Sequence, residues 1–328
     1  MSHGIMEKDR GAVGYTQRFG KTWHGIESYV HLDGRVPMEL AERIGAYEVA
    51  KAQLHLPQNL GGQAVKGSHA LVRTDSNEIL YPSVGEVYEV IQNQEILNWI
   101  EEDILANYGN ISIESCGTLF NGQKYFVNLL IDSYTVKGDV SETKQRMMVV
   151  NPFGGKAITC NLHDTRVVCD NTVRNAIAQG KANATLKRFK HTKTAPERLK
   201  AHALDLADIF DENEAQRERF DILASQKVNS DDVSNFLEAL FPTKDKEKRG
   251  LTMAQNRQDA ILDLYESKDD LVALDHTKYR LLNAVTDWAD HEMTVKNGDD
   301  QGKRFWSNLE GTSNDLKQQA FNLLLTTA

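Results

Sequence analysis

Cys160-x-x-His163, with Cys169 six residues beyond, is the pattern with the residue types for metal or nucleophile chemistry. Structural zinc takes four ligands from paired clusters. Here the fourth would be Asp164 or a distant group, so no metal and no other cofactor is expected. His163, Asp164 and Cys169 would also serve an unrecognised hydrolase. Cys169, however, closes the apolar run Val167-Val168-Cys169, where a thiol is a small core residue by default. Asn151-Pro-Phe-Gly154-Gly155-Lys156 superficially suggests a phosphate loop, but it lies between two strand patterns and reads as a hairpin turn. The chain contains no Gly-x-x-x-x-Gly-Lys-Ser/Thr, no strand-linked Gly-x-Gly-x-x-Gly, no Gly-x-Ser-x-Gly and no His-Glu-x-x-His. No catalytic residue is therefore assigned.

A basic stretch carries more information. Lys181, Lys187, Arg188, Lys190, Lys193, Arg198 and Lys200 surround Phe189 and His191. Cations neutralise phosphates, and an interleaved ring stacks on an unpaired base. If residues 185–191 form a strand, Lys187, Phe189 and His191 share one face, and Arg188 and Lys190 the other. With Lys156, Arg166 and Arg174, these residues make a candidate path for a nucleic-acid backbone. The structural alternative makes Phe189 core and the lysines a solvated edge. Trp288-x-x-His291 falls on a helical stripe with Leu281 and Val285, so Trp288 is expected in the core.

The elements that must position these residues change character along the chain. Residues 1–36, rich in Gly and polar side chains and including Trp23-His24-Gly25, read as an N-terminal arm. Pro37 opens a short helix. Strands follow at 47–56, 68–74, 78–81 and 87–91, then a helix with Asn93 at its cap and Ile96, Leu97, Ile100, Ile104 and Leu105 on one face. Asn121-Gly122 joins strands 111–120 and 123–132 into a hairpin. Strands at 146–150, 156–162 and 166–169 precede a helix at 171–178. From Pro196 the pattern is helical, with Ser230 capping one segment and further helices at 251–267, 275–293 and 314–325. The expected fold class is α+β: an antiparallel β-rich core with flanking helices over 37–226, then a helical region over 227–328.

Composition bounds the setting. The 328 residues are 40% hydrophobic, enough for a sizeable core, and hold 3 cysteines, too few for a disulfide framework. No run approaches the ~18 apolar residues of a membrane span, and no secretory signal is read at the start. A soluble, cytoplasmic protein is expected. The formal net charge is −9, but it is uneven. Residues 136–200 carry 13 basic and 5 acidic side chains, and residues 201–328 carry 15 and 25. A basic middle between acidic ends points to local nucleic-acid contact with an acidic accessory region.

Tyr88-Glu-Val-Ile-Gln-Asn-Gln-Glu, Trp23-His24-Gly25, Thr165-Arg166-Val-Val-Cys169-Asp-Asn171-Thr172, Arg188-Phe-Lys-His191-Thr192, and Leu282-Asn-Ala-Val-Thr286 with Asp290-His291 form an ordered series. Together they resemble the phage- and plasmid-like proteins grouped as a domain of unknown function (932), from about Trp23 to Ala320. Two places depart from that pattern: Arg188 stands further from His191 than in most members, and Ile26-Glu27 follows Trp23-His24-Gly25 where a second Gly is usual. The resemblance implies a mobile-element protein of the bacterial cytosol and implies no activity. By fold-level analogy alone, helix, antiparallel strands, helix and basic flank are similar to ring-forming single-strand annealing proteins. The expectation is a non-enzymatic single-stranded nucleic-acid-binding protein, a strand annealer acting as a homo-oligomer. The alternative is a protein-interaction module or inhibitor of a host protein.

Overall fold

The computed structural model describes residues 14–15, 30–31, 45–120, 122–166, 171–174, 186–204, 206–244, 247–294, 307–308 and 311–326. The alternating apolar patterns become two sheets. The smaller is β3 (Val49–His55), β4 (Ala64–Arg73) and β5 (Ile79–Gly85), antiparallel in that order. The larger runs β10-β9-β8-β7-β6-β1-β2, with β11 also paired to β9. Its strands are β1 (Gly14–Tyr15), β2 (Val30–His31), β6 (Ser112–Leu119), β7 (Lys124–Thr135), β8 (Glu142–Pro152), β9 (Ile158–Arg166), β10 (Asn171–Arg174) and β11 (Leu186–Phe189). All its pairings are antiparallel except β1 with β2.

β6 to β9 are buried on both faces along most of their length. One face is apolar: Ile113, Val127, Leu129, Met147, Val149, Cys160 and Leu162 pack on Ile96, Leu97, Ile100 and Ile104. Those four come from α1 (Asn93–Trp99) and the π-helical turns Ile100–Leu105 that continue it. The opposite face is polar. Strand alternation turns Arg146 and His163 away from Met147 and Leu162. There Glu114, fully buried, takes Arg146 in a two-point ion pair at 2.6 and 3.0 Å, with Lys144 at 3.6 Å and Asn128 at 3.1 Å. Buried charge survives only when paired and hydrogen-bonded, and this cluster meets both conditions.

The chain after β11 is helical: α2 (Ala195–Leu204), α3 (Leu206–Ser225), α4 (Ser230–Leu240), α5 (Lys248–Ser267), α6 (Asp269–Val272), α7 (Lys278–Asp287), the π-helical Trp288–Glu292, and α8 (Thr312–Thr326). The fold is α+β, as expected. Trp288 is core, edge-on to Phe241 at 6.0 Å.

Several local expectations are corrected. Residues 171–174 are strand, because their backbone completes the edge of β9 from Arg166 to His163. Residues 87–91 form no strand. Parts of the expected N-terminal arm, Gly14–Tyr15 and Val30–His31, add to the large sheet. The cap of α1 is Gln92, in a capping box with Glu95; Asn93 is instead buried, donating to the Gly45 carbonyl at 2.7 Å and accepting from Asn151 at 2.8 Å. The cap of α4 is Asn229, whose Oδ1 accepts from the amides of Asp231 and Asp232. Phe220 and Leu223 of α3 share the helical core with Phe236, Ile261, Leu282 and Phe321, so that core reaches back before residue 226. The helix expected at Pro37, the strand tail at 167–169 and residues 175–178 lie outside the described residues, as does Trp23-His24-Gly25.

Candidate nucleic-acid interface

β11 hangs on the first half of β9, pairing Lys187 with Cys160, Arg188 with Thr159 and Phe189 with Ile158. Ile158, Cys160 and Phe189 belong to the apolar core. The face shared by Lys187, Phe189 and His191 is therefore the inner face, and Arg188 and Lys190 stand on the outer one. The expectation that the first face forms a groove is corrected by this register. Phe189 is 6% exposed, with the Arg198 guanidinium 5.7 Å from its ring centre. His191 is buried and stacked on Tyr88 at 4.8 Å. Burial lowers the His191 pKa to about 4, so the ring is neutral at pH 7. Neither ring offers a free face to a base.

The remaining candidates divide sharply. Arg166 is interior: Nε and Nη2 bind Asp139 at 2.6 and 2.9 Å, and Nη1 reaches Asp270 at 3.1 Å. Its charge is neutralised, which removes it from a phosphate path. Arg174 contributes backbone opposite His163; its side chain lies outside the described residues. Lys187 is half-buried. Arg188, Lys190 and Lys193 are exposed, and none has an ion pair to a described carboxylate. Arg198 and Lys200 on α2, and Lys156 at the end of the β8–β9 turn, are exposed too. Antiparallel pairing of Phe189 with Ile158 carries Lys190 toward the 155–157 turn, so the two basic segments lie side by side.

That turn is a hairpin connection, not a phosphate loop. Gly154 has φ +112°, and its amide donates to Tyr88 Oη at 3.2 Å. A Cβ there would come within 2.6 Å of the Tyr81 ring. Tyr81 and Tyr88 thus lock the small sheet onto the turn, and burial pushes the Tyr88 hydroxyl up to about 12.

Among the described residues, no nucleophile or metal set comes together. Cys160 and His163 are three apart on β9 and face opposite sides of the sheet, as do His163 and Asp164. Cys169 lies outside the described residues. Burial pushes the Cys160 thiol up to about 12 and drives His163 down to about 3, with Arg146 adding to the latter. No group of three or more His, Cys, Asp or Glu side chains among the described residues is placed to hold a metal. Asp164 is fully buried beside a small cavity lined by Thr143, Arg166, Phe220, Tyr279, Leu282 and Asn283. Burial holds its carboxyl well above the usual carboxylate range, with a hydrogen bond from the Gln145 side chain and the Arg146 charge opposing it.

Among the described residues, no helix is long and apolar enough to cross a membrane. A family model described as Domain of unknown function (DUF932) matches residues 81–308. No curated protein and no solved structure matches the chain.

Proposed function

We propose that this chain, which belongs to the DUF932 family, is a nucleic-acid-binding protein whose contact is the β11 edge: Arg188, Lys190 and Lys193, flanked by Lys156, Arg198 and Lys200. One contrast carries the reading. Buried Arg146 and Lys144 are matched to Glu114, Arg166 to Asp139 and Lys317 to Asp290, while buried Arg280 is held by the Tyr265 and Leu274 carbonyls. Arg188, Lys190 and Lys193 are exposed, follow one another closely along the chain, and have no such partner among the described residues. Cations left unneutralised in a chain of net charge −9 form a local positive field, which is what a phosphate backbone recognises. Phosphate contact positions the strand without reading bases. With Phe189 and His191 buried, base stacking on them is not part of the proposal.

The test is equilibrium binding of the full chain to an oligonucleotide across a salt series. Each phosphate contact on a single strand contributes about −0.7 to the slope of log K against log salt. Arg188→Gln, Lys190→Gln and Lys193→Gln together should weaken binding and flatten that slope by about 2. A folded triple variant that binds as the wild type does, with the same slope, would remove this edge and leave the protein-interaction module as the reading to pursue.

A further inference from the structure

The small sheet has a part that the core does not need. From Ala50 to Lys66 no residue is buried, on either face of either strand. The pairing of β4 with β5 ends at Ser68 and Gly85, so the two-stranded ribbon that continues past the three-stranded sheet is residues 54–67: the end of β3, the start of β4 and the turn between them. From Leu54 to Pro57, at about 3.3 Å per residue, the ribbon reaches roughly 13 Å past the end of β5. Its tip is ordered from within: the Leu56 amide donates to the Gln63 carbonyl at 2.8 Å, Leu60 to Pro57 at 2.8 Å and Gly61 to Gln58 at 3.0 Å. Gln53 Nε2 clamps the bulge, donating to the carbonyls of Val65 at 2.8 Å and Ser68 at 3.2 Å.

Composition sets this ribbon apart. Val49 to Thr74 holds no Asp or Glu, in a chain with 47 of them. It carries Lys51, Lys66 and Arg73, the last paired with Asp75 at 2.7 Å, and at the tip Gln58, Asn59 and Gln63. Lys66 is exposed, with no carboxylate partner among the described residues. Lys51 Nζ donates to the carbonyls of Glu86 at 2.9 Å and Tyr88 at 2.8 Å, which fixes its position. Tyr88 in turn stacks on His191, so the base of the ribbon adjoins the Lys190–Lys193 segment.

We infer that the β3–β4 ribbon is a second nucleic-acid contact that enters the major groove of a duplex while the β11 edge holds the backbone. The inference rests on the binding proposed for that edge. A major groove about 12 Å wide and 8.5 Å deep admits a two-stranded ribbon, and side-chain amides pair with the donor and acceptor atoms on base edges. A carboxylate-free surface enters that field without repulsion. The substrate class it selects is double-stranded nucleic acid, for which a ribbon of this reach has a groove to occupy.

The experiment compares a duplex with one of its own strands, using the full chain, the ribbon variant Gln58→Ala/Asn59→Ala/Lys66→Gln, and the edge variant Arg188→Gln/Lys190→Gln/Lys193→Gln. All three are checked for folding by circular dichroism and for self-association by sedimentation. The ribbon variant should lose about ten-fold or more on the duplex and less than about two-fold on the strand, with the duplex salt slope flatter by about 0.9 for the one lost cation. The edge variant should weaken on both substrates. An edge variant that weakens while the ribbon variant binds duplex unchanged, or loses equally on both, overturns the ribbon and spares the edge. Wild-type protein that binds neither substrate overturns both. A ribbon variant that changes only self-association makes a second copy of the chain the occupant and overturns the duplex.

Discussion

Phe189 shows how a single residue changes role when its register is known. Between Arg188 and Lys190 it has the chemistry of a stacking platform, yet pairing with Ile158 turns it into the core. Phe189→Ala should therefore cost folding stability, about 3–5 kcal/mol by denaturant unfolding, and leave the salt dependence of binding by the folded protein unchanged. Asp164 carries a second residue-level consequence. Its folded pKa is raised, so above the unfolded value of about 4 the unfolded chain releases a proton that the folded chain keeps. Stability from this group is whole below that pH and falls as pH rises toward the folded value. Asp164→Asn should be more stable than the wild type at pH 7, by about 1–3 kcal/mol, with the difference closing near pH 3.5. His163 acts with the opposite sign. Its folded pKa near 3 lies below the ordinary 6.5, so its contribution is complete above that value and is lost as pH falls toward 3. Unfolding curves at several pH values for Asp164→Asn and His163→Gln resolve the two slopes.

At the scale of elements, the β8–β9 turn decides how the small sheet sits beside the basic edge. Gly154 lies in the left-handed region with the Tyr81 ring where a side chain would go. Gly154→Ala incurs both the backbone strain and the collision, and should destabilise by about 1–3 kcal/mol. Because Tyr81 must move, the change should also expose the contact between Tyr88 and Gly154, read as faster hydrogen exchange at the Gly154–Gly155 amides. The hairpin was legible from Gly154-Gly155 and the flanking alternation. The reason for the glycine was not, because Tyr81 is distant in sequence. Residues 171–174 are strand despite a helical pattern for a related reason: their partner, the end of β9, decides their state more than their own side chains do.

For the whole molecule, Arg166 joins the two halves. It reaches Asp139 after β7 and Asp270 on α6, while Tyr134 and Val136 enter the helical core. Removing one member of a buried pair strands the other charge. Arg166→Gln should cost about 3–5 kcal/mol and lower the melting of sheet and helices together, whereas Arg188→Gln, on the exposed edge, should stay within about 0.5 kcal/mol of the wild type. Binding measured on folded protein should respond in the reverse order. This pair of variants separates cations that build the molecule from cations that face outward, a distinction that the +8 charge of residues 136–200 conceals.

The α+β class, the β6–β7 hairpin, the helix faces around Ile96 and Phe236, and Trp288 as core were legible in the chain, because each follows from periodicity or turn chemistry within a short window. The sequence also located the basic stretch. It could not apportion those cations. Lys144, Arg146 and Arg166 are as basic as Arg188 and Lys190, and only tertiary structure brings Glu114 and Asp139 to the first three and leaves the others facing solvent. Charge in a sequence is a sum over residues, and neutralisation is a matter of distance, which long-range pairing of strands decides.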